Sequence, residues 1–163
     1  MEKFIHFMNK TLSIMCVILC SVLVCCVVWQ VFSRYILNTP STYTDELARF
    51  LFIWVGLIGA AYALGQKKHL AIDLLATKFE HSPKQFHQLT LAINGISLFF
   101  VLMIMCYGGV NLVRDTMANG QISPVLGIEM GLVYLAIPIS GLFMLLYLLR
   151  DLFNNFQQIK MNA

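Results

Sequence analysis

The chain has 163 residues, of which 59% are hydrophobic and only 12% charged, with a net charge of +3. That composition lies far outside the range of soluble domains and marks an integral membrane protein. Four apolar windows account for most of the length, so a separate catalytic domain, a nucleotide-binding fold or a nucleic-acid module is excluded for want of chain.

The windows run over residues 11–32, 48–65, 89–113 and 131–149. Each is about 20 residues, enough for a helix to cross a hydrocarbon core of roughly 30 Å. The first follows Lys3 and Lys10 as a secretory signal would, but its apolar run is too long and no small-residue cleavage pattern follows it. No lipoprotein signal is expected either, because Leu19, Val24 and Cys25 precede the cysteines. The five cysteines, Cys16, Cys20, Cys25, Cys26 and Cys106, all fall inside spans, where they serve as small apolar fillers with neither a disulfide nor a metal site expected.

The second window carries the chemistry. Thr42 and Asp45 have the spacing of a helix cap, at which acidic residues meet the positive helix end. Asp45 and Glu46 precede Arg49 by four and three residues, spacings that allow an ion pair on one helix face. Continued by threes and fours, the stripe passes through Phe52, Gly56, Gly59, Ala60 and Ala63, small residues of the kind that let membrane helices pack closely. A charged pair and a small-residue stripe on one face predict that this face turns toward protein, because lipid would leave Arg49 poorly solvated.

Between the second and third windows, Leu70, Ile72, Leu74, Leu75 and Phe79 alternate in helical fashion with His69, Asp73, Thr77 and Glu80. That pattern predicts an amphipathic helix over 69–80 lying in the membrane interface. Ser82 and Pro83 then read as the cap and first residue of a third helix longer than a perpendicular crossing needs, which implies tilt. In the third span Asn94 and Asn111 suit helix-to-helix hydrogen bonds, and in the fourth Pro138 predicts a kink.

The fold class is therefore an all-α membrane protein, four tilted transmembrane helices plus an interfacial helix in a single domain over residues 1–163. With four spans the termini share a side with the middle connection. That side holds eight basic residues, Lys3, Lys10, Lys67, Lys68, Lys78, Lys84, Arg150 and Lys160, against Arg34, Arg49 and Arg114 on the other. Both termini are expected in the cytoplasm, and the positive charge needs no nucleic-acid partner to explain it. His6, His69, His81 and His87 lie outside the apolar cores, which disfavours a haem held between helices. No carboxylate sits mid-span to relay ions and no nucleophile constellation occurs, so no catalytic, cofactor-binding or metal-binding residue is assigned.

Several runs carry a family resemblance. Gln30-Val31-Phe32-Ser33-Arg34-Tyr35, then Asp45 and Glu46 through Arg49, Phe52 and Trp54, then Gly59, Ala60 and Ala63, then His69 to Asp73, resemble the small membrane subunit of tripartite ATP-independent periplasmic (TRAP) transporters. Where that family often has Trp before two glutamates, this chain has Tyr43-Thr44-Asp45-Glu46, with the acidic pair kept. The resemblance implies a non-enzymatic scaffold subunit in a bacterial inner membrane. It implies a large elevator-type partner carrying the sodium and substrate sites, and a periplasmic binding protein delivering an organic acid of the sialic acid or C4-dicarboxylate type. Gln30, Arg34, Tyr35, Asp45, Glu46, Arg49, Phe52, Trp54, Gly56, Gly59, Ala60 and Ala63 are then candidate structural and subunit-interface positions. A stand-alone small multidrug-type transporter and a membrane anchor of another complex remain the alternatives.

Overall fold

Helix α1, Glu2–Tyr35, is 34 residues long, about 50 Å at a rise of 1.5 Å per residue, so it outruns the hydrocarbon core at one or both ends. The computed structural model describes residues 2–66 and 83–161. Helix α2 spans Thr42–Gly65. The third span is built from α3, Pro83–Phe100, a π-helical segment, Val101–Gly108, and α4, Gly109–Ala118. The fourth is built from α5, Met130–Tyr134, and α6, Ala136–Met161. The expected interfacial helix at 69–80 lies outside the described residues.

Four helical stretches, Ile5–Tyr35, Thr42–Gly65, Ala92–Ala118 and Met130–Leu152, are long and apolar enough to cross a membrane. Most overrun the windows expected from hydropathy, because helical hydrogen bonding continues through polar residues at the interfaces where hydropathy falls. The third helix does begin at Pro83, whose missing N–H is no loss in a first turn. Pro138 acts as expected: it offers no N–H to the Tyr134 carbonyl one turn back, and the helix breaks at Leu135 before resuming at Ala136.

In space α1 packs on α2, α2 on α6, and α6 on the third span, so the second and fourth spans lie centrally and the first and third flank them. Lipid tails are as apolar as leucine, so these helices associate through close packing and hydrogen bonds rather than through the hydrophobic effect. Two clusters do this. Ile5, Met8 and Leu12 of α1 meet Ile58 of α2 and Tyr147 of α6, with Trp54 and Phe143 alongside. The Tyr147 hydroxyl donates to Asn9 Oδ1 at 2.5 Å, a bond joining the first and last spans. Val101 and Met105 of the π segment pack with Leu148.

Glycines set the closest approaches. A methyl group built on Gly141 would lie 2.8 Å from Met105 Cβ, one on Gly109 would lie 2.9 Å from Ile137 Cγ2 and 3.2 Å from Pro138 Cδ, and one on Gly65 would lie 2.5 Å from the Tyr147 ring. The π segment thus fits against the broken part of the fourth span, where Gly109 and Gly141 give it room. All five cysteines fall inside the spans: Cys26 is buried, Cys16 and Cys106 are half-buried, and Cys20 and Cys25 face outward.

Candidate functional site

The sequence between α1 and α2 turns sharply. Asn38 adopts a left-handed φ of 53°, which asparagine tolerates better than most residues. Ser41 then starts α2 from an extended conformation, φ −83° and ψ 98°, without a side-chain cap. The Thr44 hydroxyl donates to the Ser41 carbonyl at 3.2 Å. The expected cap from Thr42 and Asp45 is therefore not formed, because the Asp45 carboxylate is engaged elsewhere: Arg49 Nη2 donates to its Oδ2 at 2.9 Å, one helical turn on. This ion pair is open to the surroundings, with 76% of the Arg49 side chain and 49% of Asp45 accessible. Exposed pairs at this spacing contribute about 0.3–0.5 kcal/mol in water.

Below the pair the predicted stripe is present and faces away from the chain. Phe52 is 70% exposed, Gly56, Ala60 and Ala63 are exposed and Gly59 is half-buried. A methyl group on Gly56 or Gly59 would meet nothing within 4 Å. On the opposite face, Ile58, Ala61 and Gly65 are buried within the chain. Helix α2 thus has one face spent on its own fold and one available to a neighbour.

Glu46, expected on that face, and Trp54, a candidate interface position, point elsewhere. Trp54 packs beside the cluster of Ile58 and Tyr147. Glu46, turned about 100° from Asp45 by one residue of helix, points instead to the connection between the third and fourth spans. Its Oε2 accepts the backbone N–H of Val125 at 3.1 Å and of Leu126 at 2.9 Å. The Ser123 hydroxyl oxygen also accepts the Leu126 N–H, at 3.2 Å, and Ser123 is 2% exposed. Consecutive backbone amides converging on one carboxylate oxygen give charge-assisted bonds, roughly twice as strong as neutral ones. The connection is itself compact: Ser123 N–H donates to the Ile128 carbonyl at 2.8 Å, Met130 N–H to Gln121 at 2.9 Å, and Ile122 pairs with Glu129 in an isolated antiparallel bridge. Gly120 and Gly127, with φ of 60° and 66°, supply the left-handed turns.

The α1 residues lie beside this arrangement. Gln30 and Arg34 line a small cleft of about 90 Å³ with Pro40, Ser41, Thr42 and Asp45. Gln30 Nε2 is buried there without a hydrogen-bond partner, and Tyr35 is 73% exposed. The structure therefore brings together Gln30, Arg34, Asp45 and Arg49, continues from them down the stripe, and separates Glu46 and Trp54. Glu46's role was invisible to helical spacing, since its partners lie 79 and 80 residues away. The turn residues Gly120, Pro124 and Gly127 are the local hint that the connection is shaped.

Four helices long and apolar enough to cross a membrane, with a small internal core, define a multi-pass membrane protein in which the described residues leave one face of α2 uncovered. Residues 23–158 match the family of tripartite ATP-independent periplasmic transporters, DctQ component. The chain belongs to that family, and is a small permease subunit of a TRAP transporter. Among its relatives, it is 27% identical over 147 residues to the sialic acid TRAP transporter small permease protein SiaQ of Vibrio cholerae, covering 90% of this chain and 82% of that protein. It is 32% identical over 102 residues to the C4-dicarboxylate TRAP transporter small permease protein DctQ of Rhodobacter capsulatus, covering 63% and 44%. It is also 25% identical over 116 residues to the sialic acid TRAP transporter permease protein SiaT of Haemophilus influenzae, covering 71% of this chain but 18% of that longer one.

Proposed function

We propose that this chain is a scaffold subunit of a sodium-coupled transporter in a bacterial inner membrane, with both termini cytoplasmic. It would hold a large elevator-type subunit in the bilayer while a periplasmic binding protein delivers an organic acid of the sialic acid or C4-dicarboxylate type. The observation that carries this reading is the outward face of α2, from the Asp45 and Arg49 pair through Phe52, Gly56, Ala60 and Ala63, which no part of the described chain covers. The SiaT relative supports it: a segment like this chain forms 18% of a permease whose remainder is on the same polypeptide. Acidic and basic side chains in the four spans stand toward their ends among the described residues, which suits a scaffold better than an ion path.

Reconstitution tests the division of labour. In liposomes this chain alone should bind neither sodium nor the acid and should move nothing. With the large subunit and the loaded binding protein, a sodium gradient should drive uptake. Sodium-driven uptake by the chain alone would overturn the proposal. For orientation, Asn38→Cys and Asn119→Cys, placed singly in a background free of the five native cysteines, should react with impermeant thiol reagents from outside, and Gln66→Cys should not; the reverse pattern inverts the topology.

A further inference from the structure

We infer that residues 109–134 form a helical hairpin that swings as one body about a paired hinge, Gly108 and Gly109 in the third span and residues 135–138 in the fourth, with Glu46 as the strap that holds it against α2. The inference stands apart from the transporter reading.

The hinge comes from two irregularities at one level of the bundle. In the third span the π-helical run ends on Gly108, and Gly109 opens α4. In the fourth, Pro138 offers no N–H to the Tyr134 carbonyl, and the chain passes from α5 to α6 through Leu135. Helices bend at such places, at π segments, glycines and prolines. The two irregularities also touch, since a methyl group on Gly109 would lie 2.9 Å from Ile137 Cγ2 and 3.2 Å from Pro138 Cδ. A contact that tight survives a rotation only near its axis.

Beyond the hinge the hairpin is tied to itself. Helix α4 packs on α5, and a methyl group on Gly131 would collide with the Met117 side chain. Ser123 N–H donates to the Ile128 carbonyl at 2.8 Å, and Met130 N–H to that of Gln121 at 2.9 Å. The seam with α2 is looser. A crevice of about 240 Å³ opens there, between Leu47, Phe50 and Trp54 of α2 and Ile128, Leu132 and Val133 of the hairpin. Next to these residues in sequence, Glu46 Oε2 accepts the N–H of Val125 at 3.1 Å and of Leu126 at 2.9 Å. Because lipid tails are as apolar as the crevice walls, the hydrophobic effect does little to keep such a seam shut. The polar strap then sets the balance between a shut and an open hairpin.

The test uses the full chain in lipid discs, free of the five native cysteines, with spin labels on pairs of exposed positions. Tyr43→Cys with Ile122→Cys reads across the strap, and Val110→Cys with Ile122→Cys reads within the hairpin. Glu46→Ala should raise the weight of a second, longer distance across the strap by roughly tenfold, as loss of a charge-assisted hydrogen bond does. The distance within the hairpin should not change. Adding Pro138→Ala, which restores an N–H to the Tyr134 carbonyl, should remove most of the longer population. Without labels, amide exchange at Val125 and Leu126 should quicken in Glu46→Ala while Ser123 and Met130, bonded inside the hairpin, exchange as before.

An unchanged distance across the strap in Glu46→Ala overturns the strap. Change in both pairs, or faster exchange at Ser123 and Met130 as well, means that the hairpin frays instead of swinging and overturns the rigid body. A longer population that Pro138→Ala leaves in place overturns the hinge. Should Glu46→Ala fail to fold, Glu46→Gln, whose neutral amide oxygen accepts the same N–H groups more weakly, decides by the same criteria.

Discussion

Gly109 and Gly56 are the same residue in the same kind of helix, yet one is closed in and the other open. A methyl group on Gly109 would press on Ile137 and on the Pro138 ring, whereas one on Gly56 would meet nothing. In water, exposed glycine in a helix costs about 1 kcal/mol relative to alanine and brings nothing in return. In a membrane, small residues let helix backbones approach, which recovers dispersion contacts that lipid would otherwise provide. Gly65, Gly109 and Gly141 make that use visible inside the chain. Gly56 and Gly59, on the uncovered face, have the same chemistry without the neighbour.

The largest expected effect breaks the closed set. Gly109→Leu or Gly141→Leu should destabilise the purified chain by about 1–3 kcal/mol or more, the range for overpacked sites, read as a lower thermal midpoint and loss of monodispersity in detergent. Nearby backbone limits relief, since Pro138 N and the Met105 carbonyl carbon lie 3.3 Å and 3.4 Å from the added methyl groups. Gly56→Leu and Gly59→Leu should leave that midpoint unchanged and instead weaken copurification with the large subunit by roughly tenfold, because a side chain would stand where close approach is needed. If the open-set variants destabilise the isolated chain as much as the closed-set ones, the distinction between the two faces fails.

A smaller effect is expected from the polar pin of the buried set. Tyr147→Phe keeps the ring against Gly65 but removes the hydroxyl that bonds Asn9. Interhelical hydrogen bonds of this kind average about 0.6 and reach about 1.7 kcal/mol, so the thermal midpoint should fall modestly. Asn9→Leu should give a similar loss, and the two together little more than either. Full additivity would show that the residues do not act through one bond.

What the sequence disclosed follows the range of each signal. The four spans, the start at Pro83, the interruption set by Pro138 and the Asp45 to Arg49 pair are all encoded within a few residues, by apolar length, a missing N–H or the i, i+4 period. The lateral order of the spans, the π segment and the close approaches of Gly109 and Gly141 depend on which helix lies opposite, which no period of one strand of sequence specifies. Glu46 shows the limit most sharply. Its spacing of three from Arg49 is as good locally as Asp45's spacing of four, but the amides of Val125 and Leu126 offer a carboxylate more than an exposed guanidinium does.

The smallest effect separates those two acids. A double-mutant cycle on Asp45 and Arg49 in the isolated chain should give a coupling of only about 0.3–0.5 kcal/mol, as exposed pairs do. In the assembly the same cycle, read through copurification or thermal stability, should give a larger value. A partner covering that face removes the pair from solvent, and breaking one side would then strand a charge. The cycle on Glu46 and Arg49 should give less coupling in both settings, because the Glu46 carboxylate accepts the loop amides of Val125 and Leu126 while Arg49 bonds Asp45. Equal coupling for the two acids would place Glu46 back on the stripe. Unchanged Asp45 coupling on assembly would mean that this face stays open to its surroundings, leaving the pair as an anchor at the membrane surface rather than part of an interface.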